Sequence, residues 1–302
     1  MVALTAVAAC GGGASTVAPT ATPTPTTSVS ASTGAGAIDP SAIPLGDGHV
    51  STSPTRGDVV SCQTGFPPGG GAQVVGPWID AVHGTWNSTT KLVVQGSVSW
   101  PAAHFSVTVS GNTRTVQTTD LPINHTTGVF PIAASDPAFS YDRNPNTIRT
   151  QSINWSLPAT PQAASSPSCT PGGAIGVLND GVLLFNALDG EGRDAGAHEV
   201  LDACGEHPQM NGVLHHHSVP SCILDKATAA STLVGYAVDG YGIYVERSAD
   251  GRLLTNTDLD ACHGRTSRVD WDGSMQTLYH YDATVEYPYT VACFHGTPIA
   301  VS

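Results

Sequence analysis

The fold class follows from one stretch of the sequence, Ala174-Ile175-Gly176-Val177-Leu178-Asn179-Asp180-Gly181-Val182-Leu183-Leu184-Phe185. Its two apolar runs are rich in Val, Ile and Leu and have the length of strands. The Asn-Asp-Gly sequence between them is typical of the tight turn that joins two antiparallel strands. The stretch therefore predicts a β-hairpin.

Further hairpins are predicted on both sides. Upstream, residues 105–110 alternate apolar and polar side chains, and the chain turns at Gly111-Asn112 and returns over residues 113–118. Downstream, residues 233–238 and 241–245 flank Asp239-Gly240. The patterns also indicate one helix over residues 194–203 and a helical turn over residues 258–262. We therefore expect a mainly β, that is β-rich α+β, fold of antiparallel sheets and hairpins with one or two short helices.

The cysteines indicate disulfide bonds. Of the seven, Cys10 lies in the N-terminal segment, and the other six form no Cys-x-x-Cys pair, which argues against a zinc ribbon or a thioredoxin-like centre. An even set in an exported chain is typical of disulfides, and six cysteines permit many connectivities. Pairing of neighbours along the chain predicts Cys62–Cys169, Cys204–Cys222 and Cys262–Cys293.

The N-terminal region predicts export and a lipid anchor. Cys10 follows Val7-Ala8-Ala9 after a short apolar run, a pattern similar to the lipobox of bacterial lipoproteins. We therefore interpret residues 1–10 as a signal peptide remnant with its lipobox, and Cys10 as the lipidated residue. Residues 11–57 are rich in Thr, Pro, Ser and Gly and predict a disordered linker. The expected location is the cell envelope, periplasmic or extracellular, with the membrane contacted through the lipid anchor.

The charge argues against one class of partner. The formal net charge is −13 at pH 7. A chain this acidic is repelled by phosphate backbones, so we expect no nucleic-acid partner.

Histidines form the strongest candidate site. The chain has 12, and three are consecutive, His215-His216-His217. On a strand, His215 and His217 share one face and His216 points to the other, with the outer two Cα atoms about 6.6 Å apart. Two imidazoles at that spacing can bind one metal ion. The alternative is a hydrogen-bonded pair without a metal.

A second cluster, Ala197-His198-Glu199-Val200-Leu201-Asp202, lies in the predicted helix, where His198 and Asp202 share a face. It has the order of the zincin His-Glu-x-x-His motif, but Asp202 replaces the second histidine. Because the second histidine is absent, an ordinary amphipathic helix explains the pattern better than a metalloprotease site does.

Several longer segments together resemble the YHYH domain family of exported proteins. They are Gly192-Arg193-Asp194-Ala195 with Ala197-His198-Glu199, His207-Pro208-Gln209, Asp120-Leu121-Pro122-Ile123-Asn124-His125, and Leu278-Tyr279-His280-Tyr281. Leu214-His215-His216-His217 stands where the family has Tyr-His-Tyr-His, and Asp282 follows Tyr281 where a histidine is often expected. The resemblance covers roughly residues 100–302 and implies that residues 58–302 form one YHYH-like β-rich domain.

The function predicted from these observations is an exported lipoprotein with a histidine-rich site for a transition metal. The proposed ligands are His215 and His217, completed by His280, His125 or His198. Imidazole ligands suit copper or zinc, and the affinity order favours copper. Two alternatives remain open: a metal-dependent hydrolase or oxidoreductase that uses the same site, and a metal-free module that binds a glycan or peptide. For the last, Tyr236, Tyr241, Tyr244, Tyr287 and Tyr289 either line a groove or fill the core.

Overall fold

A computed structural model describes Met1 and residues 37–301. Within them the fold is mainly β, as predicted, with mostly antiparallel sheets, few helices and three disulfides. The strands are β1 (Ile43–Pro44), β2 (Val50–Ser51), β3 (Val59–Val60), β4 (Ile79–Asp80), β5 (Thr85–Trp86), β6 (Phe105–Ser110), β7 (Thr113–Thr118), β8 (Ile153–Pro158), β9 (Ala163–Ser168), β10 (Ala174–Leu178), β11 (Leu183–Phe185), β12 (Glu206–Pro208), β13 (Leu214–His216), β14 (Ser231–Ala237), β15 (Gly242–Glu246), β16 (Gly264–Trp271), β17 (Ser274–Asp282) and β18 (Phe294–Gly296).

The helical elements are short. They are α1 (Ala195–His198), α2 (Ser221–Leu224) and 3-10 turns at Pro137–Ser140, Met210–Gly212 and Asn256–Asp258. In residues 37–301, none of the helices has the length and apolar character needed to span a bilayer.

The largest sheet has eight strands in the order β12-β13-β11-β10-β14-β15-β17-β16. The three predicted hairpins are all present, as β6–β7, β10–β11 and β14–β15. Two neighbouring pairs in the large sheet, β11–β13 and β15–β17, are parallel, and the others are antiparallel. In each parallel pair, the chain leaves the sheet after the hairpin and returns through a crossover connection, so that the next strand runs in the same direction as its neighbour.

The core lies between the eight-stranded sheet and the antiparallel β6-β7-β8 sheet. Val116 and Trp155 from the smaller sheet belong to the same buried cluster as Ile175, Leu184 and Ile243 from the larger one. These apolar side chains supply the main stabilisation because burying each removes its surface from water. The five tyrosines considered for a groove are all buried, so they fill the interior instead.

The predicted helix over residues 194–203 is much shorter in the structure. Asp194 caps α1 as expected, but the helix ends at His198 and Glu199 is already extended, with φ −75° and ψ 141°. The backbone after Glu199 forms hydrogen bonds with other segments instead of continuing the helix. Val200 N donates to Asp142 Oδ2, and Leu201 O accepts from Val94 N. His198 and Asp202 therefore do not share a helix face, and the zincin-like interpretation is wrong.

The folded part begins earlier than residue 58. Ile43 is 1% exposed, and the backbone N–H of Gly46 donates to the buried carboxylate of Asp194. Buried apolar residues such as Ile43 are few in this segment, which is otherwise rich in Pro, Gly, Ser and Thr. The composition therefore indicated a linker up to residue 57. The predicted signal peptide remnant, the lipidation site Cys10 and linker residues 11–36 lie outside the described residues.

The structure pairs the six cysteines as their order along the chain predicts, Cys62 with Cys169, Cys204 with Cys222, and Cys262 with Cys293.

Candidate metal centre

Three buried histidines meet at one end of the eight-stranded sheet, and we call His207, His215 and His217 the three-histidine cluster. His207 lies on β12 directly opposite His215 on β13, and His217 follows β13 by one residue. The ring centroids are 4.5 Å apart for His207 and His215, and 4.9 Å for His215 and His217. Strand alternation thus places His215 and His217 together, and pairing of the two strands adds His207.

A carboxylate joins the cluster from outside the sheet. The Glu199 Oε2 atom lies 3.1 Å from Nε2 of His207 and 3.1 Å from Nε2 of His217. Glu199 reaches this position because α1 ends at His198 and the chain becomes extended. These three buried atoms are in ion-pair contact, but none of them is aligned for a hydrogen bond.

The atom spacing suits a shared metal ion. Ligand atoms at about 2.0–2.1 Å from a four-coordinate ion lie about 3.3–3.4 Å from each other. The two measured separations of 3.1 Å are close to that spacing. A cation between the atoms would satisfy all three groups, whose burial is otherwise costly.

The contacts of the second ring nitrogens orient the three rings. The Nδ1–H of His217 donates to the Asn186 carbonyl at 2.6 Å, so Nε2 of the neutral ring carries the lone pair. His215 Nδ1 contacts the Val213 carbonyl at 3.4 Å, and its ring stacks on Phe185 with centroids 4.0 Å apart. The Asn144 amide nitrogen donates to His207 Nδ1 at 3.3 Å, so the neutral His207 ring carries its proton on Nε2, toward Glu199, and a metal ion bound at Nε2 would displace that proton. These contacts fix the rings before an ion arrives.

The charges in the cluster shift its pKa values in opposite directions. Burial raises the pKa of the Glu199 carboxyl, but His207 and His217 outweigh it and hold that pKa well below its usual value. Burial lowers the pKa of His207, but the Glu199 charge outweighs it and the net pKa is raised. Burial and the two neighbouring imidazoles hold the pKa of His215 well below its usual value. His215 therefore keeps its lone pair at neutral pH.

The other proposed ligands lie elsewhere. His125 Nε2 contacts Glu206 Oε1 at 3.1 Å on the opposite face of the β12–β13 pair, and His198 Nε2 contacts Asp47 Oδ2 at 2.8 Å. His280 is on β17, and four strands lie between β13 and β17, so five interstrand spacings of about 4.8 Å separate the two strands by about 24 Å. The structure therefore corrects the prediction that His125, His198 or His280 completes the metal-ligand set of His215 and His217, because none of the three lies beside them.

His216 belongs to a separate buried network on the face that His125 shares. Its Nδ1 donates to the Gly205 carbonyl at 3.0 Å, and its Nε2 lies 3.0 Å from Asp180 Oδ2. Burial lowers the pKa of His216, but the Asp180 and Glu206 charges outweigh it and raise that pKa to about 9. With both nitrogens donating, this ring has no lone pair for a metal.

His207 and Glu199 were missed as ligands, although both occur in the segments that carry the family resemblance. Residues 154–253, which include them, match the family model described as YHYH protein. The chain carries a YHYH domain.

The three-histidine cluster, Glu199 and the His216 network all fall inside the matched residues of the YHYH domain, whereas His125 and His280 fall outside. The resemblance predicted for roughly residues 100–302 is confirmed over residues 154–253. No curated protein and no solved structure matches the chain significantly.

Proposed function

We propose that the YHYH domain binds one transition-metal ion through Nε2 of His207, His215 and His217, with Glu199 as the fourth ligand. One observation carries this proposal: ligand atoms of three buried histidines lie within 4.8 Å of one another, and Glu199 Oε2 lies 3.1 Å from two of them.

The donor set indicates the metal. Three imidazoles and one carboxylate suit Zn²⁺ and Cu²⁺, and the general affinity order places Cu²⁺ above Zn²⁺. The six cysteines of residues 37–301 are all in disulfides, so none of them offers a thiolate to a softer ion. We therefore expect both ions to bind and copper to bind more tightly.

Elemental analysis of the untagged chain tests the proposal. The parent should bind one equivalent of copper or zinc more than the His215→Ala/His217→Ala variant does. A matched control, His83→Ala/His104→Ala, removes two exposed imidazoles elsewhere and should keep the metal. Absence of bound metal, together with no uptake on titration at neutral pH, would overturn the proposal.

We also propose that Cys10 is lipidated and holds the domain at the cell envelope. Three disulfides support an oxidising location, because such bonds persist outside the cytosol. Fractionation of cells that express the parent or Cys10→Ser tests this. The parent should be recovered with membranes and the variant in the soluble envelope fraction; equal distribution would contradict the anchor.

A further inference from the structure

The two halves of the eight-stranded sheet have the same topology. One half is β10-β11-β13-β12, the other is β14-β15-β17-β16, and they meet where β10 pairs with β14. In each half a hairpin is followed by a strand parallel to its second member. In each half the outermost strand precedes its neighbour in the chain and is antiparallel to it.

The register of the hairpins repeats as well. In the first half Gly176 pairs with Leu184, and in the second Gly235 pairs with Ile243. A register shift precedes each of these glycines, between residues 174 and 176 and between residues 233 and 235. Leu184 and Ile243 therefore occupy equivalent positions.

The loop before each outer strand also repeats in sequence. Leu201-Asp202-Ala203-Cys204 in the first half corresponds to Leu259-Asp260-Ala261-Cys262 in the second. Asp202 Oδ1 accepts from Cys204 N at 2.9 Å, and Asp260 Oδ1 accepts from Cys262 N at 2.9 Å. The next residues, Gly205 and His263, both have positive φ, 71° and 69°. These shared details indicate two copies of one structural unit.

The repeat aligns the histidine strand β13 with β17. Leu184 pairs with His216, and its equivalent Ile243 pairs with Tyr281. Asp180 contacts the His216 ring, and Asp239 Oδ2 accepts from the Tyr281 hydroxyl at 2.6 Å. His216 and Tyr281 are therefore equivalent.

The residues on either side follow from that alignment. His280 corresponds to His215 and Asp282 to His217. Both members of the second pair are fully buried.

A second cluster occupies the equivalent place, and we call Glu246, His280 and Asp282 the Glu246 cluster. His280 Nε2 lies 3.1 Å from Glu246 Oε2 and 3.5 Å from Asp282 Oδ2. The His280 Nδ1–H donates to the Leu278 carbonyl at 3.2 Å, so a neutral ring would direct the Nε2 lone pair at two carboxylates. Either a proton on Nε2, which would donate to Glu246, or a bound cation must therefore lie between these atoms.

The environment of Asp282 provides the strongest evidence that the Glu246 cluster binds a metal ion. Both of its carboxylate oxygens are buried and lack a hydrogen-bond partner. A divalent cation would supply the partner that both oxygens lack.

We propose that the Glu246 cluster is a second metal site, which holds a divalent cation through His280 Nε2 and the carboxylates of Asp282 and Glu246. One nitrogen and two carboxylates form a harder donor set than three imidazoles, so the site should accept Zn²⁺ and Mn²⁺. It lies on the other half of the sheet and does not depend on the function proposed for the three-histidine cluster.

Arg265 distinguishes the second site from the first. It pairs with His280 across the strands, as His207 pairs with His215. Its Nε lies 3.1 Å from Glu246 Oε2, and Ser267 Oγ donates to Glu246 Oε1 at 3.0 Å. The guanidinium thus competes with an ion for one carboxylate oxygen, and Arg265→Gln should tighten cation binding.

Calorimetric titration of the full chain with Zn²⁺ tests the proposal in the His215→Ala/His217→Ala background. One equivalent should still bind there, and adding Asp282→Asn should abolish it. Asp225→Asn, a change at an exposed aspartate, should leave the binding intact. No uptake at millimolar Zn²⁺ in the double variant, or uptake indifferent to Asp282→Asn, would overturn the proposal.

X-ray absorption at the zinc edge gives a readout that does not rely on the Asp282 variant folding. In the double variant, the bound zinc should show one imidazole and oxygen ligands. A shell of several imidazoles would assign the ion elsewhere and overturn the second site. Failure of the three-histidine proposal has a different signature, a parent whose zinc uptake is unchanged by loss of His215 and His217.

Discussion

The orientation of each imidazole in the three-histidine cluster depends on the group that its Nδ1 atom contacts. His217 is held most firmly, because its Nδ1–H donates to a backbone carbonyl at 2.6 Å. Such contacts fix the tautomer and the ring orientation of metal ligands. The cluster is therefore organised for coordination by the backbone around it, and replacement of one ring should not displace the others.

His207 should matter as much as the two histidines that the sequence suggested. We expect His207→Ala to raise the Kd for Cu²⁺ or Zn²⁺ by at least about 100-fold, above the range for residues that only support a ligand. Competition with a chromophoric chelator measures this. His125→Ala, on the opposite face of the β12–β13 pair, is the control and should change the Kd little; equal effects of the two changes would exclude His207 as a ligand.

Metal affinity should fall with decreasing pH already above pH 6.5. The pKa of His207 is raised by Glu199, so its ring takes up a proton at higher pH than a free imidazole does. The metal must displace that proton, which weakens binding as the pH falls. Titrations between pH 5 and pH 8 check the sign; an affinity that is constant down to pH 6 would contradict it.

At the scale of elements, tight turns decide how the hairpins of the large sheet pack on the smaller one. Gly240 has φ +93°, and a Cβ there would lie 2.5 Å from Pro158 Cγ and 2.7 Å from the Pro158 carbonyl oxygen. Pro158 ends β8, so this turn contacts the neighbouring sheet. Only glycine satisfies both the conformation and the close approach.

Gly240→Ala should therefore destabilise the fold. We expect a loss of about 2–4 kcal/mol, from an unfavourable φ and a steric clash with backbone. Urea unfolding provides the measurement. Gly111→Ala is the matched control, because Gly111 has positive φ but a Cβ there meets nothing within 4 Å, so its cost should be about 1 kcal/mol. Equal losses would show that the contact with Pro158 is unimportant.

At the scale of the molecule, the disulfides close loops of very different length. Cys62–Cys169 spans 107 residues and Cys204–Cys222 spans 18. A crosslink restricts the unfolded chain more when the loop is longer. The Cys62–Cys169 disulfide links the N-terminal part of the fold to the end of β9, upstream of the three-histidine cluster.

Removal of the long disulfide should cost more stability than removal of the short one. We expect about 4–5 kcal/mol for Cys62→Ser/Cys169→Ser and about 3 kcal/mol for Cys204→Ser/Cys222→Ser. Non-reducing urea unfolding of both variants measures the difference. A larger loss for the Cys204–Cys222 link would mean that its position beside β12 outweighs its loop length.

The internal repeat would have given a signal for the missed ligand. Leu201–Cys204 and Leu259–Cys262 share the residues Leu-Asp-Ala-Cys, and this match places His207 and Arg265 at the same distance after them. A comparison of the two halves of the chain would have placed His207 on the strand next to His215. Glu199 has no comparable signal, since it reaches the cluster only because α1 ends early.

The sequence by itself determined the properties that depend on near neighbours along the chain. The hairpins, their turns, the fold class and the common face of His215 and His217 follow from alternation with a period of two and from Asp-Gly turns. Only the tertiary structure decided which histidines meet. Two histidines on one strand are grouped by local geometry, but His207, Glu199 and the separation of His280 from His215 depend on strand order and register between distant segments. Those pairings are set by burial and hydrogen bonding over the whole domain, and no local pattern encodes them.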